Sequence, residues 1–218
     1  MASEAASVLL VDDHAVLAET LGDVLEQHGV TVHIATDLRP AAVVAAADEL
    51  DPDVVLLDFF LSADETALDI IPALAQRERV TIVLTGSADP VELGACLEAG
   101  AVAVLRKTQS FAAIVDAVRA AAAGEPAMSQ AHRDAVLGAG RAQREADAAA
   151  SAPFESLSPR EGAVLAALVE GKTTAQIAAD QFVSAATVRT QVRSLTAKLG
   201  VRSRIAAVAL AREAGWRQ

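Results

Sequence analysis

VVLLDFFLSADET, residues 54–66, sets four apolar residues before a single carboxylate, Asp58, and follows it at once with Phe59 and Phe60. A run that is apolar at every position buries both faces of a strand, the pattern of a parallel sheet covered by helices on each side. Four other short runs of this kind occupy residues 8–11, 30–35, 80–85 and 101–105. Helical stripes lie between them, such as Leu17, Leu21, Val24 and Leu25, or Phe111, Ile114, Val115 and Val118. Strand followed by helix, five times over, predicts an α/β doubly wound (βα)5 domain over residues 1–124.

In such a sheet, ligands bind beyond the carboxyl ends of the strands. There the sequence places Asp12 and Asp13 after the first strand, Asp58 at the end of the third, Thr85 at the end of the fourth and Lys107 after the fifth. A single aspartate at a strand end is ordinarily a solvated loop or capping residue; it is the constellation that is specific. Three acids at one edge repel each other, and a hard, oxygen-seeking ion such as Mg²⁺ relieves that. A carboxylate nucleophile, a cation, a hydroxyl and an ammonium together suffice to form an aspartyl phosphate.

With 218 residues the chain is long enough for two domains. Its 53% hydrophobic content is inflated by alanine, and no apolar run approaches the roughly 20 residues of a membrane span. The first residues, MASEAASVLLVDD, lack the apolar stretch of a signal peptide, and the lone Cys96 fits a reducing compartment. These features predict a soluble, cytoplasmic protein with no membrane partner. The net charge of −11 is unevenly placed: residues 155–218 hold nine Lys/Arg against five Asp/Glu, or +4, which leaves −15 for residues 1–154. An acidic half joined to a basic half points to a polyanionic partner for the second.

Residues 125–154 read as a partly helical linker with little to bury, interrupted by GAG at 138–140 and closed by Pro153. Residues 155–218 read as a small all-α domain. Ser158-Pro159-Arg160-Glu161 is a capping box with proline at the first helical position, Thr173 and Gln176 repeat the spacing, and Ser184 and Ser203 are caps for two more helices. From Ser184 onward, Val188, Val192, Leu195 and Leu199 share one stripe, which leaves Ala186, Arg189, Thr190, Arg193 and Ala197 opposite. Two arginines and a threonine among small residues suit a major groove, and with the preceding capped helix they make a helix-turn-helix. Lys198, Arg202, Ser203 and Arg204 follow at the helix end, where DNA phosphates would pass.

VLLVDDH, PDVVLLD, VLTG and EAGAVAVLRK resemble the motifs of response-regulator receiver domains, over about residues 6–123. The resemblance implies Asp58 as phosphoacceptor, and Asp12, Asp13, Asp58 and the main-chain carbonyl of Phe60 as Mg²⁺ ligands. It makes Thr85 and Lys107 the phosphoryl contacts, with Thr85 as the switch. Two positions depart from the pattern: Ser62-Ala63 where Pro-Gly is usual, and Val104 where an aromatic switch residue is usual. Residues 157–211 resemble the LuxR-type helix-turn-helix, which implies Arg189, Thr190 and Arg193 at the DNA and a last helix, about residues 203–213, as the contact of a homodimer on DNA. Gln191 replaces the usual histidine there, and Gln181 a commonly apolar turn residue.

A receiver followed by this domain is the arrangement of NarL/FixJ-type response regulators. It implies a transcription factor without substrate turnover, phosphorylated by a sensor histidine kinase. Val104 and Ser62 keep open an alternative, a receiver controlled by a ligand or partner with the same DNA-binding output. An aspartate-nucleophile phosphatase is disfavoured, because the position of its general acid, two residues after Asp58, is Phe60.

Overall fold

In the computed structural model, which describes residues 5–62 and 64–216, five strands run β1 (Ser7–Val11), β2 (Thr31–Ile34), β3 (Val54–Asp58), β4 (Thr81–Thr85) and β5 (Ala103–Arg106). Helices α1 (Ala15–Gln27), α2 (Pro40–Leu50), α3 (Ile71–Ala75), α4 (Pro90–Ala99) and α5 (Phe111–Ala122) alternate with them. The strands form one parallel sheet in the order β2-β1-β3-β4-β5. The order reverses between β1 and β3, so the residues that follow those two strands share one crevice.

Alternation along the strands sorts the apolar residues onto two cores. Val8, Leu10, Val54, Leu56, Ile82 and Leu84 face Leu21 and Leu25 of α1 and Ile114 and Val118 of α5. Leu9, Val11, Val55, Leu57, Val83 and Val104 face Val43 of α2, Ile71 and Leu74 of α3 and Leu97 of α4. Each fully buried aliphatic side chain contributes roughly 1.5–3 kcal/mol. The edge strand β2 is the exception: it is shorter than the apolar run 30–35 suggests and mostly exposed, Ile34 being 42% accessible.

The chain divides into two units between Gln143 and Arg144, and the division falls inside α6 (Gln130–Glu155). The segment expected as a partly helical linker is helical from Gln130 onward, mostly exposed, and buries a few residues at each end. In the first unit, Val136 and Leu137 pack on the α2–α4 core. Arg133 donates to the carbonyls of Ala101 (3.2 Å), Val102 (3.1 Å) and Leu97 (3.4 Å), satisfying acceptors where α4 gives way to β5. The GAG triplet does not break the helix. A Cβ at Gly140 would lie 2.6 Å from the Pro90 carbonyl oxygen, so glycine here permits close approach of α6 to α4.

The second unit comprises the end of α6 with α7 (Pro159–Val169), α8 (Thr174–Asp180), α9 (Ala185–Lys198) and α10 (Arg204–Glu213). Their starts follow the sequence signals. Ser158 and Thr173 close full capping boxes, and the hydroxyls of Ser184 and Ser203 accept from Thr187 and Ala206 N–H. Val164, Leu165, Leu168, Ile177, Val188, Leu195, Leu199 and Ala207 make the core. Phe154, one residue past Pro153, closes it by stacking on Trp216 at 5.4 Å between ring centres.

Candidate functional site

At the crevice, the chain leaves β1 through Asp12, whose side chain is 1% exposed. One of its oxygens accepts the His14 backbone N–H at 2.8 Å, which turns the chain into α1, and the other meets Lys107 Nζ at 2.8 Å. Asp58, the last residue of β3, presents Oδ2 to the same ammonium at 2.8 Å. Lys107 is delivered by β5 and fixed by a hydrogen bond from its own N–H to the Thr85 carbonyl. The buried Thr85 hydroxyl accepts from Ser87 N–H at 3.0 Å, at the start of the loop into α4. A cleft lined by His14, Leu17, Asp58, Phe60, Gly86 and Lys107 opens onto the group.

Burial pushes the Asp58 carboxyl up to about 6; the charges of Asp12 and Asp13 add to this, and the Lys107 hydrogen bond opposes it. Burial also works against the Lys107 charge, but its hydrogen bonds to Asp12 and Asp58 outweigh it and hold the pKa above the ordinary lysine value. The pair thus keeps the ammonium charged while the buried carboxylate still lacks counter-charge. Asp12, Asp13 and Asp58, together with His14, offer ligand atoms within 4.8 Å of one another. Three carboxylates short of positive charge are a donor set that fits a hard divalent ion. His14 was missed in the sequence, though it directly follows the acid pair; its Nδ1 lies beside an Asp13 oxygen.

Phe60 sits on the lip of the cleft, 46% exposed, with its ring edge-on to buried Phe59. It pairs with Thr66 in an antiparallel bridge whose hydrogen bonds belong to the flanking residues, Ala67 N–H to Phe59 O and Leu61 N–H to Glu65 O. In such a pair the peptide groups of Phe60 itself face away from residues 65–67. Where Pro-Gly is usual, the Ser62 hydroxyl accepts from Asp64 and Glu65 N–H at 3.3 and 3.2 Å. Ala63, the other half of that departure, lies outside the described residues. Val104 is 6% exposed and packs in the α2–α4 core.

In the second unit, Val188, Leu195 and Leu199 face inward, and Arg189, Thr190 and Arg193 are exposed on α9. Among the described residues neither guanidinium is in an ion pair. Arg202 and Arg204 are also exposed, while the Ser203 hydroxyl is occupied as the cap of α10. Lys198, expected at the phosphates, is 38% exposed and has partners inside the domain. Its ammonium turns inward to Glu161 (2.7 Å) and the Ser156 carbonyl (2.9 Å), tying α9 to the start of α7. Lys198, then Ser194 and Ser158, hold the Glu161 carboxyl well below its usual range, at about 2. A lysine at a helix end reads as a solvated cation; its partner, 37 positions earlier, carries no local signal.

A family model described as "Response regulator receiver domain" matches residues 8–119, and one described as "Bacterial regulatory proteins, luxR family" matches residues 155–211. The transcriptional regulatory protein LiaR of Bacillus subtilis (strain 168) is 34% identical over 209 residues, covering 94% of this chain and 95% of LiaR. Among solved structures, the response regulator ChrA of a heme-sensing two-component system is 29% identical with a TM-score of 0.52, covering 97% of this chain and 98% of that one. RcsB of Salmonella enterica serovar Typhimurium, solved on promoter DNA in the presence of phosphomimetic BeF3-, is 25% identical with a TM-score of 0.51, covering 96% and 99%.

Proposed function

The chain belongs to the response-regulator family, with a receiver domain and a LuxR-type DNA-binding domain in one polypeptide, and we propose that phosphorylation of Asp58 by a sensor histidine kinase controls its sequence-specific DNA binding. The observation that carries the reading is the buried Asp58 carboxylate, within 2.8 Å of the Lys107 ammonium and beside Asp12. An Asp58 oxygen attacks phosphorus, the P–N bond of the kinase's phosphohistidine breaks, and the imidazole leaves. Asp12, Asp13, Asp58 and the Phe60 main-chain carbonyl would hold Mg²⁺. When bound, the ion offsets the charge of the carboxylates and of the phosphoryl oxygens.

Lys107 keeps an anion to pair with before and after transfer. The Thr85 hydroxyl accepts from Ser87 N–H and has its own proton to donate to a phosphoryl oxygen, so a movement of Thr85 toward that oxygen would carry the start of the loop leading to α4 with it. In the second domain, Arg189, Thr190 and Arg193 enter the major groove while Arg202 and Arg204 meet phosphates. Lys198 is left out of this set, because Glu161 holds it. The exposed α10, with Ile205 75% accessible in its first turn, supports a homodimer on DNA. The site of action is the cytoplasm, and no helix among the described residues is long and apolar enough to cross a membrane.

Incubation with acetyl phosphate and Mg²⁺, read by intact mass, should add about 80 Da to the wild type and nothing to Asp58→Ala. No adduct would overturn phosphorylation. It would favour a second reading suggested by the packed aliphatic Val104, in which a ligand or partner controls the receiver.

A further inference from the structure

The helices α7, α9 and α10 of the DNA-binding domain end alike. After each, the chain turns out through a left-handed residue, and each time that residue is glycine: Gly171 (φ 86°), Gly200 (φ 68°) and Gly215 (φ 59°). After α8 the same turn is made by Phe182, at φ 55°. Its hydrogen bonds are those of the shared motif, from Phe182 N–H to Ala179 O (3.2 Å) and from Val183 N–H to Ala178 O (3.0 Å). Left-handed backbone drives a Cβ toward the following carbonyl oxygen, so the turn selects for glycine. Packing does not compensate. Phe182 is 96% exposed, more than any other large apolar side chain among the described residues.

A ring that the fold neither needs nor buries therefore stands two residues ahead of Ser184, the cap of α9. Val183 beside it is 38% exposed. From Gln181 to Arg212 the sequence holds six basic residues and no acidic one. Strained, exposed residues concentrate where a chain meets its ligand, and an aromatic side chain among cations suits the sugar-phosphate edge of a duplex. We propose that Phe182 is a DNA-contacting residue, its ring packing on a deoxyribose or a thymine methyl at the rim of the groove that α9 enters. The inference rests on the reading that α9 binds DNA, and adds to it an apolar contact outside the recognition helix. The N-terminal end of a recognition helix is the end that reaches base edges, which puts the preceding turn at the rim.

The test uses the full chain treated with acetyl phosphate and Mg²⁺, and a fluorescent duplex that the wild type has enriched from a randomised library. Phe182→Gly keeps the left-handed turn and removes only the ring. It should bind that duplex about tenfold more weakly, the scale of losing one apolar or stacking contact. Its unfolding, followed by the fluorescence of Trp216, should come at the same denaturant concentration or a higher one. Phe182→Leu, which keeps apolar surface, should fall between the two. Wild-type affinity in Phe182→Gly overturns the inference and assigns the ring to a protein surface, while Arg189→Ala losing affinity in the same assay leaves the DNA-binding reading standing. A wild type that enriches no duplex overturns both.

Discussion

Replacing Asp58 by asparagine removes one negative charge from a site where that charge is costly, and the cost can be followed with pH. The Asp58 carboxyl is 4% exposed and is pushed up from 3.8 to about 6. Folding therefore favours its protonated form. The raised pKa contributes stability fully below pH 4, and the contribution is lost as pH rises through 6. A difference of about 2 pKa units corresponds to about 3 kcal/mol, of which about 2 kcal/mol is still present at pH 4.5. In EDTA, the receiver of Asp58→Asn should then gain about 2 kcal/mol relative to wild type between pH 4.5 and 7.5. Trp216 is the only tryptophan, there is no tyrosine, and Trp216 and the Phe154 it stacks on both lie in the DNA-binding unit. Fluorescence thus follows the DNA-binding domain alone, and circular dichroism follows both. The gain should appear in the dichroism transition that fluorescence does not report. A stability gap that stays level across this range, or narrows as pH rises, would refute the account, for it would mean that Lys107 already balances the buried charge.

Glu161→Ala loses the return bond of a capping box and the partner of Lys198, and should cost the DNA-binding domain about 1–2 kcal/mol in Trp216-monitored denaturation. Because the Glu161 carboxyl is depressed to about 2, its contribution should persist above pH 4.5 and fade only as pH falls toward 2. Lys198→Ala should destabilise the same domain and leave the salt dependence of DNA binding unchanged, whereas Arg202→Ala should lower that slope by about 1. Arg189→Ala should cost about 1–3 kcal/mol on an enriched duplex and much less on a scrambled one; uniform weakening would make it a phosphate contact. Gly140→Ala sets a methyl group 2.6 Å from the Pro90 carbonyl, so it should destabilise the receiver by about 1–3 kcal/mol and speed amide exchange over residues 130–143.

The features legible in the sequence are those with a local cause. Runs such as VVLLD announce a doubly covered strand because every residue is apolar, and Ser158-Pro159-Arg160-Glu161 announces a helix start because its bonds close within four residues. The acids at the strand ends were legible for the same reason, since topology alone fixes which edge they share. Less local relations were hidden. The Lys198–Glu161 pair joins two helices, and the inward turn of Lys198 follows from that contact alone. Gly140 reads as a breaker until α4 is beside it. At Ser62 only the folded loop shows that the hydroxyl accepts from two backbone N–H groups. Phe182 looks like an ordinary apolar turn residue; its backbone angle and its exposure are properties of the folded chain.

The packing of α6 on α4 bears on how such a protein can be taken apart and recombined. A cut at Gly124, where the last strand-helix unit closes, discards Val136 and Leu137 from a core that includes Val104, removes Arg133 from three carbonyls, and bares α4 along Pro90 and Gly94. Chimeras that graft a foreign output domain at that point inherit a damaged receiver, and their signalling defects would be misassigned to the graft. A junction placed after Gln143 carries the covering half-helix with its own receiver. The exchangeable module is therefore longer, by about four helical turns, than the strand-helix repeat that defines it.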